Sequence, residues 1–125
     1  MTEKGQKMSN GRDLKRILGR IYKHESLAGI DLRNLYLSSM DFSGLELRHA
    51  ELTGCCLNHA LLDGCDLTDA NLTNAKLSHA SLKRAKLSGA ILAGVVVDGA
   101  SFKAATGLAP STKEYLKSKG AKDVD

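Results

Sequence analysis

The sequence has no tryptophan, a single proline (Pro110), and aromatic residues at only 4% of its 125 positions. A core without large rings must be built from Leu, Ala and Val, which excludes the common globular enzyme organised around buried aromatic anchors. Long apolar runs are also missing, since no uncharged stretch approaches the roughly 18 residues that a membrane span needs. The opening MTEKGQKMSN is polar and no apolar segment follows it, so an unexported, cytoplasmic chain without membrane contact is expected. Cysteines number three, and Cys55 and Cys56 are adjacent. That odd count and spacing argue against a disulfide framework and for a reducing compartment. The hydrophobic content of 42% is enough for the core of one domain, and the chain is too short for two.

The net charge is +4, and its placement matters more than its size. Residues 1–24 carry seven basic and two acidic groups, a net of +5; residues 25–104 carry seven and nine, a net of −2; residues 105–125 carry four and three, a net of +1. The basicity belongs to an N-terminal segment that reads as a solvated helix face, and nucleic acid is not the expected partner.

Internal repetition decides the architecture. A large apolar residue falls on every fifth position: Leu27, Leu32, Leu37, Phe42, Leu47, Leu52, Leu57, Leu62, Leu67, Leu72, Leu77, Leu82, Leu87, Leu92, Val97 and Phe102. Two residues before each (position −2), from Ala50 onward, stands a small residue, mostly Ala or Cys. Two residues after each (position +2) stands Gly at Gly29, Gly44, Gly54, Gly64, Gly89, Gly94 and Gly99, and otherwise mostly Asn, Asp, His or Ser.

A period of five fits neither regular element. Positions five apart on an α-helix are rotated by about 140°, so the Leu series would spiral around it. In an extended strand an odd period would send successive Leu to opposite faces. The chain must therefore turn every five residues. Positions −2 and 0 point inward, −1 and +1 point outward, and +2 takes the positive-φ corner that Gly tolerates best and Asn, Asp and His tolerate better than most. The result is an all-β solenoid.

This pattern, seen in Ala70-Asn71-Leu72-Thr73-Asn74 and Cys65-Asp66-Leu67-Thr68-Asp69, resembles the pentapeptide-repeat proteins. The resemblance covers residues 25–104 and implies a right-handed quadrilateral β-helix with four pentapeptides per coil. It therefore implies four coils, with residues twenty apart as vertical neighbours in a stack about 19 Å tall. Two departures from the family pattern stand out. The first coil carries Glu25, Ile30, Leu35, Met40 and Leu45 at −2, so something should pack against that end. The usual Asp or Asn at −1 is replaced by Tyr36, Cys56, Leu61, Ile91 and Val96.

Both ends of an open stack need covers. Leu14, Ile17, Leu18 and Ile21 follow i, i+3, i+4, i+7 spacing and predict a capping helix over 12–23, within the segment 1–24, with Asn10 as its N-cap. In the segment 105–125, Pro110 precedes a capping box at Ser111-Thr112-Lys113-Glu114, and Gly120 ends a short helix bearing Tyr115 and Leu116.

Catalytic and metal chemistry find little support. His49, His59 and His79 sit at +2 corners, where backbone tolerance explains them; His59 and His79 become neighbours without a third ligand, so no metal is expected. Cys55 and Cys65 at −2 read as buried small hydrophobes, and Cys56 points outward with no base beside it. Asp31 with Glu51, and Glu46 with Asp66, read as solvated ladder pairs, because an open wall offers no pocket to desolvate a carboxylate. No phosphate-binding loop is present. No enzyme activity and no cofactor are expected.

What remains is a scaffold or protein-interaction module, acting on a protein partner or by self-association as a homodimer. The resemblance also implies an alternative, a duplex-DNA mimic that binds a type II topoisomerase such as gyrase. That role asks for a long acidic rod, whereas these repeats carry only −2 and would span about five or six base pairs. Sorting outward residues by wall puts Tyr36, Cys56, Lys76 and Val96 in one column, with Ile91 one corner away from Val96. This is the candidate interaction surface; the competing expectation is that the C-terminal tail folds back over Ile91 and Val96.

Overall fold

The computed structural model describes residues 13–125. Between α1 (Leu14–Tyr22) and α2 (Pro110–Ser118), parallel bridges join residues twenty apart. They form four vertical columns: Asp31, Glu51, Asn71, Ile91; Tyr36, Cys56, Lys76, Val96; Asp41, Leu61, Ser81, Ser101; and Glu46, Asp66, Lys86, Thr106. Four pentapeptides therefore make one coil, and each wall is a stack of short parallel rungs.

The hydrogen bonds explain why five residues close a wall. Leu67 N–H donates to Lys86 C=O one coil below (2.8 Å), as does Asp69 N–H to Ser88 C=O (2.9 Å), while Lys86 N–H donates back up to Cys65 C=O (2.9 Å). Ala70 N–H turns the corner onto Leu67 C=O (3.0 Å). The residue between these last two, at +2, has a positive φ at every corner, as at Asn34 (60°), His49 (60°) and Gly64 (70°), which is the signature of a type II turn. Only the +1 N–H is left outside this pattern. Asp or Asn at −1 takes it in an Asx turn: Thr68 N–H donates to Asp66 Oδ1 (3.1 Å) and Thr73 N–H to Asn71 Oδ1 (3.0 Å). Where −1 is Lys76 or Ser81, the acceptor comes from one coil above: Ser78 N–H donates to Asn58 Oδ1 (3.0 Å) and Lys83 N–H to Asp63 Oδ1 (3.2 Å).

All sixteen central residues are at most 7% exposed, and the small −2 residues beside them, from Ala50 to Ala85, are equally buried. Cys55 and Cys65 donate their thiols to Leu32 C=O (2.6 Å) and Phe42 C=O (2.8 Å).

Ile17 and Ile21 of α1 are buried, and Leu14 and Leu18 pack against the same core, which includes the large first-coil residues Leu35 and Leu45. The helix begins later than the spacing suggests, because Asp13 is its N-cap and Asp13 Oδ1 accepts from Arg16 N–H (3.2 Å). Asn10 lies outside the described residues.

At the other end the capping box does not form. Helix α2 starts at Pro110 behind Ala109, with no side-chain cap, since proline has no N–H to lose and its fixed φ suits the first helical position. Gly120, at φ 90°, ends it as expected. Leu116 is fully buried. The chain then rejoins the solenoid: Lys122 pairs with Ser101, Gly99 N–H donates to Gly120 C=O (2.9 Å) and Lys122 N–H donates to Ala100 C=O (2.7 Å). The spacing there is twenty-one, so the helix has replaced walls of a fifth coil. Among the described residues no helix is long and apolar enough to cross a membrane.

Candidate interaction surface

The β-register places Tyr36, Cys56, Lys76 and Val96 on one ladder, each bridged to the next. Tyr36 is 81% exposed and Val96 43%, and Ile91 on the neighbouring wall is 48% exposed. Lys76 is exposed and Cys56 half-buried, with its Sγ 3.1 Å from Ser38 Oγ. The C-terminal tail leaves Ile91 and Val96 open. It pairs instead on the wall of Ser101, where Val124 becomes buried.

Two exposed apolar groups lie outside the expected surface. Leu61, 44% exposed, stands at −1 on the wall of Ser101, and Tyr22, 88% exposed, ends α1. Leu61 was visible in the sequence as a break in the Asp/Asn pattern. Tyr22 gave no signal, because its direction depends on how α1 is seated. A cavity of about 410 Å³ also opens between the last coil and α2, lined by Leu92, Ala93, Gly94, Ser111, Thr112 and Tyr115.

Among the described residues the titratable groups do not assemble into a reactive centre. Asp31 pairs with Glu51 and Glu46 with Asp66 on their walls. The Thr68 hydroxyl, donating at 2.6 Å, holds the Asp66 carboxyl below its ordinary range, opposite to what a general acid requires. Burial pushes the Cys65 thiol up to about 12, so it is inert. The His59 and His79 rings stack, with centroids 5.2 Å apart and planes 15° from parallel. Among the described residues no three His, Cys, Asp or Glu side chains converge as a metal site.

The family profile described as pentapeptide repeats matches eight copies over residues 26–64 and 65–103. No curated protein matches the chain. Among solved structures, a pentapeptide repeat protein from Nostoc Pcc 7120 is 24% identical, with a TM-score of 0.50 over 86% of this chain and 93% of its own. A thylakoid-lumen pentapeptide repeat protein of Arabidopsis thaliana is 25% identical, with a TM-score of 0.41 over 71% of this chain and 80% of its own. HetL of Nostoc sp. Strain PCC 7120, described as involved in heterocyst differentiation regulation, is 27% identical, with a TM-score of 0.39 over 75% of this chain and 46% of its own. The repeat register, the twenty-residue coil and the profile agree: the chain belongs to the pentapeptide-repeat family and has its β-helical fold.

Proposed function

We propose that this chain is a non-enzymatic scaffold or protein-interaction module of the cytoplasm, built as a right-handed quadrilateral β-helix of four coils with a helical cap at each end. A protein partner docks across the edge formed by Tyr36, Cys56, Lys76, Val96 and Ile91. The observation that carries this reading is that Tyr36, at 81% exposure, and the aliphatic Ile91 and Val96 stand on rigid walls where the fold has no need of them. The rest of the family pattern would be met by Asp or Asn, which would also accept the +1 N–H. A rigid wall presents such groups already ordered, so little side-chain entropy opposes binding, and a large ring is the usual anchor of an interface.

The test compares Val96→Glu with Ile91→Lys against the unmodified protein, both as baits in the native cell. The double variant loses the captured partner while its unfolding free energy stays within about 1 kcal/mol, since long side chains at exposed positions keep their charged ends in water. If capture is unchanged, this edge carries no function.

A further inference from the structure

The wall that carries Leu61 has a charge pattern of its own. Its −1 ladder runs Asp41, Leu61, Ser81, Ser101 and on to Lys122. Its +1 column carries Ser43, Asp63, Lys83 and Lys103 at successive coils, Arg84 stands at the corner beside Lys83, and Asp123 accepts from the Ser101 hydroxyl at the lower end, so the wall is acidic in its first two coils and net basic below. Asp41, Lys83, Lys103 and Lys122 are exposed and Asp63 is half-buried. Asp63 Oδ1 accepts from the Ser81 hydroxyl and from Lys83 N–H, which fixes the carboxylate on the wall. Among the described residues none of these five charges forms an ion pair.

We propose that this wall is a self-association surface on which a second copy of the chain docks face to face and antiparallel. The occupant follows from charge complementarity, because the wall's own acidic half is the partner that its basic half requires. A two-fold axis lying across the wall, between the levels of Asp63 and Lys83, brings Asp63 opposite the second copy's Lys83 and Lys83 opposite its Asp63. The same operation sets Leu61 against Ser81 and Asp41 against Ser101. Other arrangements are penalised. Parallel packing swaps the two columns, so it sets Asp63 against Leu61 and Lys83 against Ser81 with no ion pair while holding acidic half on acidic half and basic half on basic half, and moving the axis to the level of Lys83 or Asp63 opposes that residue to itself. Charge thus sets both orientation and register, and a two-fold pair satisfies both copies at once. One wall about 19 Å tall and roughly 12 Å wide offers on the order of 200–250 Å², far below the ~800 Å² per partner of a permanent interface, so the pair is weak, salt-sensitive and formed at high concentration.

The experiment measures sedimentation equilibrium over a concentration series up to about 1 mM, in low salt and in about 0.3 M salt. The unmodified protein gains mass with concentration in low salt and returns to its 13.4 kDa monomer in high salt. Asp63→Lys and Lys83→Asp each weaken association by about tenfold or more when alone. Mixed together they form a heterodimer, because the ammonium introduced at position 63 of the first variant then meets the carboxylate introduced at position 83 of the second. The first variant's own Lys83 still faces the second variant's own Asp63. Recovery in the mixture also shows that both variants are folded. The proposal is overturned if the unmodified protein stays monomeric at low salt, if either reversal leaves association unchanged, or if the mixture fails to associate while both variants melt cooperatively. The Val96→Glu with Ile91→Lys variant retains this association, so failure here and failure of the partner-docking edge are separate results.

Discussion

Gly107 lies directly on the backbone of Ser88: a Cβ added at Gly107 would come within 2.8 Å of Ser88 Cα and collide with Ser88 N. This is the point where the chain leaves the solenoid for α2, and Gly107 has φ 89°. Backbone cannot give way as a side-chain tip can. Gly107→Ala should therefore cost about 2–4 kcal/mol, from the strained conformation and the collision together. Gly64→Ala, at φ 70° with nothing within 4 Å of the new methyl, should cost only about 1 kcal/mol. Urea unfolding of the two variants measures the difference, and equal costs would mean that the close approach to Ser88 is not there.

Leu67 and Leu72 are fully buried in the middle coils, each between rungs above and below. Truncation of either to Ala should cost about 2–5 kcal/mol, because apolar contact is lost and a stacked interior collapses poorly into the cavity. A loss below about 1 kcal/mol at both sites would contradict the inward register.

Helix α1 shields the first coil with Ile17 and Ile21. A chain lacking residues 1–24 should expose Leu35, Met40 and Leu45 together with unpaired rung edges, and so associate end to end. Light scattering should show growing particles, and a monomer with an unchanged melting temperature would show that α1 is not a cap.

The three cysteines should differ sharply in reactivity. Cys55 and Cys65 are buried and donate to backbone carbonyls, and burial pushes the Cys65 thiol up to about 12, whereas Cys56 is partly exposed. A thiol reagent should label Cys56 alone in the folded protein and all three on unfolding. Labelling of Cys65 at the rate of Cys56 would place it outside the core.

Acid should weaken the fold in a defined direction. The Thr68 hydroxyl, the Ser78 hydroxyl and Ser43 N–H hold the carboxyls of Asp66, Asp98 and Asp41, respectively, below the ordinary 3.8. Groups with a lowered folded value contribute stability that is present above the unfolded value and lost as pH falls through the folded one. The urea midpoint should therefore hold from about pH 7 to 5 and fall below about pH 4, and Thr68→Val should fall less because Asp66 has lost its hydroxyl donor and keeps only the backbone N–H of residue 68.

The solenoid body was legible in the sequence because each wall is a local object. A period of five fixes which residues point inward, where φ turns positive and, with twenty residues per coil, which residues become neighbours; Tyr36, Cys56, Lys76 and Val96 fell on one ladder, and His59 met His79, for that reason. The ends were less legible. A capping box at Ser111 was the stronger local signal, yet Pro110 opened the helix two residues earlier once Ala109 could precede it.

Sequence alone determined the repeating unit, the buried Leu series and the corners, since those depend on contacts within five residues or one coil. Only the tertiary structure decided what happens where the period stops. The return of Lys122 to Ser101, the open state of Ile91 and Val96, and the contact of Gly107 with Ser88 all depend on which rung edges α2 leaves unpaired. Local spacing encodes a direction for each side chain, whereas the closing of an end is a competition among distant backbone groups for the same few partners.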